Sequence, residues 1–116
     1  MPRAVAYLDD LFFQMKIAET AKQLGIEFKV ASTTAALLGL LEPPTKLVIV
    51  DLNARNQPIA TIEQLRATHQ ELRVIAFLSH VQTELAAQAR AAGCLEVMPR
   101  STFTQSLALI LQTIKD

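Results

Sequence analysis

Carboxylates are the residues of this sequence best placed to do chemistry. Asp9 and Asp10 stand as a pair directly after the apolar run Val5-Ala6-Tyr7-Leu8, and Asp51 follows Leu47-Val48-Ile49-Val50. Ser79 closes a third apolar run, residues 74–78, and Arg100 stands two residues beyond a fourth, residues 94–98. If the runs ending at Asp10 and Asp51 lie side by side, Asp9, Asp10 and Asp51 converge, and like charges held that close are unfavourable unless protonated or neutralised. A hard divalent cation neutralises them. Carboxylates plus a loop carbonyl suit Mg²⁺, which keeps several waters and takes phosphate oxygens as further ligands. Asp51 is then a nucleophile toward a phosphoryl donor, giving an aspartyl phosphate. The Ser79 hydroxyl and the Arg100 guanidinium would contact the transferred oxygens. Each residue also has a plain structural reading: Asp10 as a helix N-cap, Asp51 as a turn former, Ser79 as an ordinary residue before a helix, Arg100 as a solvated charge.

The elements that must position these groups follow from periodicity. Four consecutive apolar residues before Asp51, rich in Val and Ile, lack the alternation of a half-wet strand and predict a parallel strand covered on both faces. Residues 5–8 and 74–78 read the same way, and residues 94–98 form a short final strand. Ile26, Phe28 and Val30 alternate with Glu27 and Lys29, which predicts an edge strand with one polar face. Between the strands, Phe13, Ile17, Ala21 and Leu24 recur at helical spacing before Gly25. Leu37, Leu40 and Leu41 make a second stripe after a cap at Ser32 or Thr33 and before Pro43-Pro44. Ile59, Ile62 and Leu65 mark a third helix. Leu85, Ala86, Ala89 and Ala92 mark a fourth, ended by Gly93. Leu107, Ile110, Leu111 and Ile114 line a fifth, running from about Phe103 with Thr102 or Thr104 as its cap. Residues 53–58, with Arg55 in their middle, form the loop after the central strand.

Strict alternation of strand and helix predicts a doubly wound parallel α/β sheet with any site outside the carboxyl ends of its strands. The first, third and fourth strands carry the most continuous apolar runs and should be central, giving the order 2-1-3-4-5.

At 116 residues, of which 51% are hydrophobic, the chain can bury one ordinary core and is read as a single domain over residues 1–116. Eleven Lys and Arg balance eleven Asp and Glu, and no basic stripe or acidic tail argues for nucleic acid. The lone Cys94 sits among apolar residues and predicts an inert buried thiol in a reducing, cytoplasmic setting. No run reaches the ~20 apolar residues of a membrane span. His69 and His80 are expected to be exposed polar residues, since neither has a paired ligand spacing.

The segments Val5-Ala6-Tyr7-Leu8-Asp9-Asp10, Leu47-Val48-Ile49-Val50-Asp51-Leu52-Asn53, Val74-Ile75-Ala76-Phe77-Leu78-Ser79, and Ala92-Gly93-Cys94 through Phe103 together resemble the receiver domains of two-component response regulators. The resemblance spans essentially the whole chain and implies a flavodoxin-like (βα)5 fold. It implies Asp51 as phosphoacceptor, Asp10 as a direct Mg²⁺ ligand with Asp9 assisting through water, Asn53 as carbonyl ligand beside the Asp51 carboxylate, and Ser79 as the hydroxyl switch. It also implies a histidine kinase or phosphotransfer protein as donor and a downstream protein partner, without nucleic acid or membrane. Such a chain is no enzyme beyond its own phosphorylation and dephosphorylation.

The departures are specific. Receivers carry Met-Pro three residues after the phosphoacceptor and Asp-Gly or Asn-Gly shortly after, where this chain has Ala54-Arg55 and Pro58-Ile59. The family's Lys-Pro at the fifth strand's tip aligns with Arg100-Ser101, and Arg does not replace a compact ammonium neutrally. Val97 stands where receivers place an aromatic switch. Arg55 and Arg100 offer the acids a standing ion-pair network without metal. Two readings follow: a phosphorelay receiver accepting phosphate on Asp51 with Mg²⁺, or a degenerate pseudo-receiver that signals through a protein-binding surface without phosphorylation. A flavin- or nucleotide-binding enzyme on the same fold finds little support, because Gly25, Gly39 and Gly93 are the only glycines and form no phosphate loop.

Overall fold

The computed structural model describes residues 1–79 and 82–115, so His80 lies outside the described residues. Strands and helices alternate as β1 (Arg3–Tyr7), α1 (Leu11–Leu24), β2 (Glu27–Ala31), α2 (Thr34–Leu38), β3 (Thr45–Asp51), α3 (Pro58–Thr68), β4 (Arg73–Leu78), α4 (Thr83–Ala92), β5 (Glu96–Pro99) and α5 (Arg100–Gln112). All pairings are parallel and the order is β2-β1-β3-β4-β5, as the apolar runs predicted.

The unbroken runs have a direct cause. Successive side chains of a strand point to opposite faces, and both faces here are covered. Ala4, Ala6, Leu47, Ile49, Ile75 and Phe77 meet Phe13 and Ile17 of α1 and Leu107 and Leu111 of α5 on one face. Their strand neighbours Val5, Tyr7, Val48, Val50, Val74 and Ala76 meet Leu37, Ile62, Leu65 and Ala89 of α2, α3 and α4 on the other. The edge strands β2 and β5 are less buried, and β2 keeps Lys29 exposed.

Three boundaries differ from the periodicity. The second helix ends at Leu38, with Gly39 as its C-cap, so Leu40 and Leu41 of its expected stripe lie beyond it. The last helix starts at Arg100 rather than near Phe103, its N-cap is Pro99, and neither Thr102 nor Thr104 caps it by a side-chain bond. Pro99, with φ −59° and ψ 151°, ends the strand extended and lets the next residue turn directly into helix. The Arg100 backbone is therefore held at the junction of β5 and α5. Ile114 falls past the helix end yet stays buried. The final strand begins at Glu96, because the Cys94 N–H bonds back to the Ala89 carbonyl at the end of α4.

A second finding lies at the opposite end of the sheet. The Arg66 guanidinium donates to the carbonyls of His69, Gln70, Leu72 and Gly93, joining the ends of α3 and α4. A cation suits the exposed carbonyls of two helix C-termini. Gly93 permits it: its φ is +121°, and a Cβ there would lie 2.6 Å from Arg66 Cγ. The Cys94 thiol is pushed up to about 11, chiefly by burial. No described helix is long and apolar enough to cross a membrane.

Leu111 is fully buried between α5 and the sheet. Leu111→Ala should cost about 2–5 kcal/mol in urea denaturation; a change below about 0.5 kcal/mol would show that the helix face is wrongly assigned.

Candidate functional site

β3 carries Asp51 to the carboxyl end of the sheet, with Phe77 of β4 beside it in register. Asp51 is only 3% exposed. Its Oδ1 accepts the Asn53 N–H at 2.9 Å, and its Oδ2 faces Arg100 Nη2 at 3.6 Å. Burial raises its pKa above the ordinary value; the Asn53 N–H and Arg100 oppose that rise, and the charges of Asp9 and Asp10 add to it.

Asp10 has two tasks, one per oxygen. Oδ1 accepts the Phe13 N–H at 3.1 Å and caps α1, while Oδ2 accepts from Arg100 Nη1 at 3.3 Å. The capping N–H is the main reason its pKa is lowered, with Arg100 contributing. Asp9 turns elsewhere: its Oδ2 accepts from the Arg55 N–H at 3.0 Å and from Arg55 Nε at 3.3 Å. One guanidinium thus bridges Asp10 and Asp51, and another holds Asp9 to the loop after β3.

Arg100 is fixed from below as well. Its Cζ lies 4.7 Å from the Phe13 ring centroid and 5.5 Å from that of Phe77. Phe77 stacks on Phe103 with centroids 4.8 Å apart, and Phe13 tilts against Phe77 at 4.9 Å. A planar guanidinium stacks on aromatic faces in a way an ammonium does not. Among the described residues the buried Arg100 Nε has no hydrogen-bond partner, so the two terminal nitrogens and the rings hold the group.

The far side of Asp51 is organised by Asn53. Its Oδ1 accepts from the Ser79 N–H at 2.7 Å and from Ser79 Oγ at 3.0 Å, and its Nδ2 donates to Gln82 Oε1 at 3.0 Å. The side chain of Asn53, for which the sequence suggested only a carbonyl role, staples the loop after β3 to the end of β4. Tyr7 OH donates to the Asn56 carbonyl and Asn56 Nδ2 to the Ser32 carbonyl, which pins the rest of that loop. A tyrosine at the end of an apolar strand was the one sequence signal for this lock.

Asp9, Asp10, Asp51, Asn53, Ser79 and Arg100 therefore gather at one end of the sheet, in contacts unlike those of an open metal pocket. Among the described residues no group of three or more His, Cys, Asp or Glu side chains is arranged to hold a metal ion. Each of the three acids already has a carboxylate oxygen facing an arginine. As arranged here, the acids do not fit Mg²⁺.

The architecture has many solved counterparts. The BeF3-activated DrrB receiver domain superposes with a TM-score of 0.82 at 18% identity, over 98% of this chain and 97% of that one. The chemotaxis response regulator CheY4 of Vibrio cholerae matches with a TM-score of 0.82 at 16% identity, over 98% of both chains. NtrX from Brucella abortus matches at 20% identity and a TM-score of 0.81, over 98% of this chain but 26% of its own. No protein-family model matches the sequence, and no curated protein does. The chain has the flavodoxin-like fold of response-regulator receiver domains.

The opposite shifts of the two acids predict opposite mutational signs. Asp10→Ala should lower stability by about 1 kcal/mol near neutral pH through the lost N-cap. That deficit should shrink as pH falls below the ordinary value of 3.8, because protonation removes the same interaction from wild type. Asp51→Asn should hold or raise stability near neutral pH, and the gain should fade on acidification through the raised pKa, where wild-type Asp51 becomes neutral. Thermal melts across pH check both; a larger loss for Asp51→Asn than for Asp10→Ala at neutral pH would contradict the assignment.

Proposed function

We propose that this chain is a signalling module of the response-regulator receiver type that acts through contact with a downstream protein, with Asp51 paired to Arg100 instead of turning over a phosphoryl group. The observation that carries this reading is the Arg100 bridge, 3.3 Å from Asp10 and 3.6 Å from Asp51. A nucleophile needs an unshared lone pair facing its donor. Asp51 is buried, one oxygen takes the Asn53 N–H and the other faces a cation that rests on Phe13 and Phe77. A flexible ammonium could leave the carboxylate to meet a phosphoryl group; a stacked, bridging guanidinium gives up three kinds of contact to do so. Val97 in place of an aromatic residue removes a further part of a phosphorylation-driven response.

A second reading is phosphoryl acceptance on Asp51 from a histidine kinase or phosphotransfer protein. It is favoured by the place of Asp51 at the tip of a central strand with Ser79 and Asn53 beside it. Neither reading makes the chain an enzyme in its own right, and both suit a cytoplasmic setting.

Acetyl phosphate labelling with Mg²⁺, followed by intact mass and by capture of a partner, separates them. Wild type is expected to stay unlabelled, and Asp51→Ala to bind the partner as wild type does. Labelling of wild type at Asp51, lost in Asp51→Ala together with partner binding, would return the phosphorelay reading.

A further inference from the structure

Building on the reading of Asp51 and Arg100 as a standing pair, we infer that the Arg100 guanidinium is the resident cation of the strand-end pocket, and that this one side chain is what keeps divalent cations out.

Two resident cations offset all but one of the three carboxylate charges in place. Asp9, Asp10 and Asp51 supply three carboxylates, and Arg55 and Arg100 answer them, one on Asp9 and the other across Asp10 and Asp51. A divalent ion bound to the outer oxygens of Asp10 and Asp51 would have to share them with a guanidinium already 3.3 and 3.6 Å away. Repulsion between cations at such range is severe, and greater where water is partly excluded. The ion would therefore have to evict Arg100.

Eviction is opposed by the site's construction. Arg100 is the first residue of α5, directly after β5, so its backbone cannot move without moving both elements. The guanidinium lies against Phe13 and Phe77, and Phe103 backs Phe77. Its planar fork faces both acids while its carbon lies over two rings, a combination a compact, strongly hydrated ammonium matches less well. Asp9, the remaining acid, is drawn toward Arg55 through both its backbone N–H and its side chain.

The test uses the full chain with Mg²⁺ and with Mn²⁺ as a paramagnetic probe, read by amide NMR. In wild type, the amides of Asp9, Asp10, Asp51 and Asn53 should show no saturable shift with Mg²⁺ and no selective broadening with Mn²⁺. Arg100→Gln, which removes the charge, should acquire a saturable site at those amides, with affinity raised on the order of tenfold or more. Arg100→Lys keeps a charge without the fork and should fall between the two. Saturable Mg²⁺ binding at those amides in wild type overturns the inference. So does a folded Arg100→Gln that still binds neither ion, since the guanidinium would then not be what excludes them. If neither variant folds, the wild-type titration decides alone. Labelling is independent of these outcomes: wild type that binds Mg²⁺ yet stays unlabelled by acetyl phosphate sinks this inference and leaves the interaction reading standing. Wild type that labels without binding metal does the reverse.

Discussion

A guanidinium lodged between two carboxylates and two phenyl rings sets the geometry of the whole strand-end face. Through Arg100, the start of α5 is tied to the N-cap of α1 at Asp10 and to the tip of central strand β3 at Asp51. Elements distant in sequence thereby share one charge. Removing the shared cation from such a cluster is more costly than the pair's net worth suggests, because the buried Asp51 is left without its counter-charge. The aromatic floor matters for the same reason. It supplies a surface on which a partly dehydrated guanidinium rests without the hydrogen bonds its Nε lacks.

Asp10 and Asp51 share that cation but respond differently to it. Asp10 lies at the mouth of the site and accepts a helix-capping N–H, so its charged form is favoured. Asp51 also accepts an N–H, yet burial at the end of a sheet covered on both faces outweighs it and the cation together. The same fold feature that makes the central strands continuous in sequence, two covered faces, is what makes an acid at their tip electrostatically expensive. That cost is the physical reason the acid demands a counter-charge of some kind.

Much of the architecture was legible because burial on both faces leaves no alternation to misread. The runs before Asp10, Asp51 and Ser79 located three strands and their tips, and the alternating Ile26, Phe28 and Val30 located an edge. The gathering of polar groups at one end followed from topology. What was not legible was direction. Nothing in the spelling of Asp9-Asp10 says that one acid turns to Arg55 and the other to Arg100, or that Asp10 divides its oxygens between a cap and a cation. Phe13 was readable as core from its helical spacing, but its service with Phe77 as a cation platform depends on three elements meeting. The start of α5 was misplaced because apolar periodicity begins only at Phe103, whereas Pro99 sets the backbone for a helix that opens on a polar residue. Arg66 was invisible for a related reason: its partners are carbonyls, which every residue has.

The three sequence departures make physical sense as a set. An arginine in the loop after β3 holds Asp9, an arginine at the start of α5 holds Asp10 and Asp51, and Val97 stands where the resemblance to receivers implies an aromatic residue. A site that carries its own cations has no need of a loop shaped around a metal. On the interaction reading proposed above, an acid kept in an ion pair likewise provides no changing charge for an aromatic residue to report. Val97 instead lines an apolar groove between α4 and β5 with Leu78, Ala86 and Met98. Arg100 is the residue on which the site turns, because its fork faces two acids while its carbon lies over the two rings beneath it. With that fork in place the buried acid faces a fixed counter-charge, which lessens the cost of its burial without cancelling it.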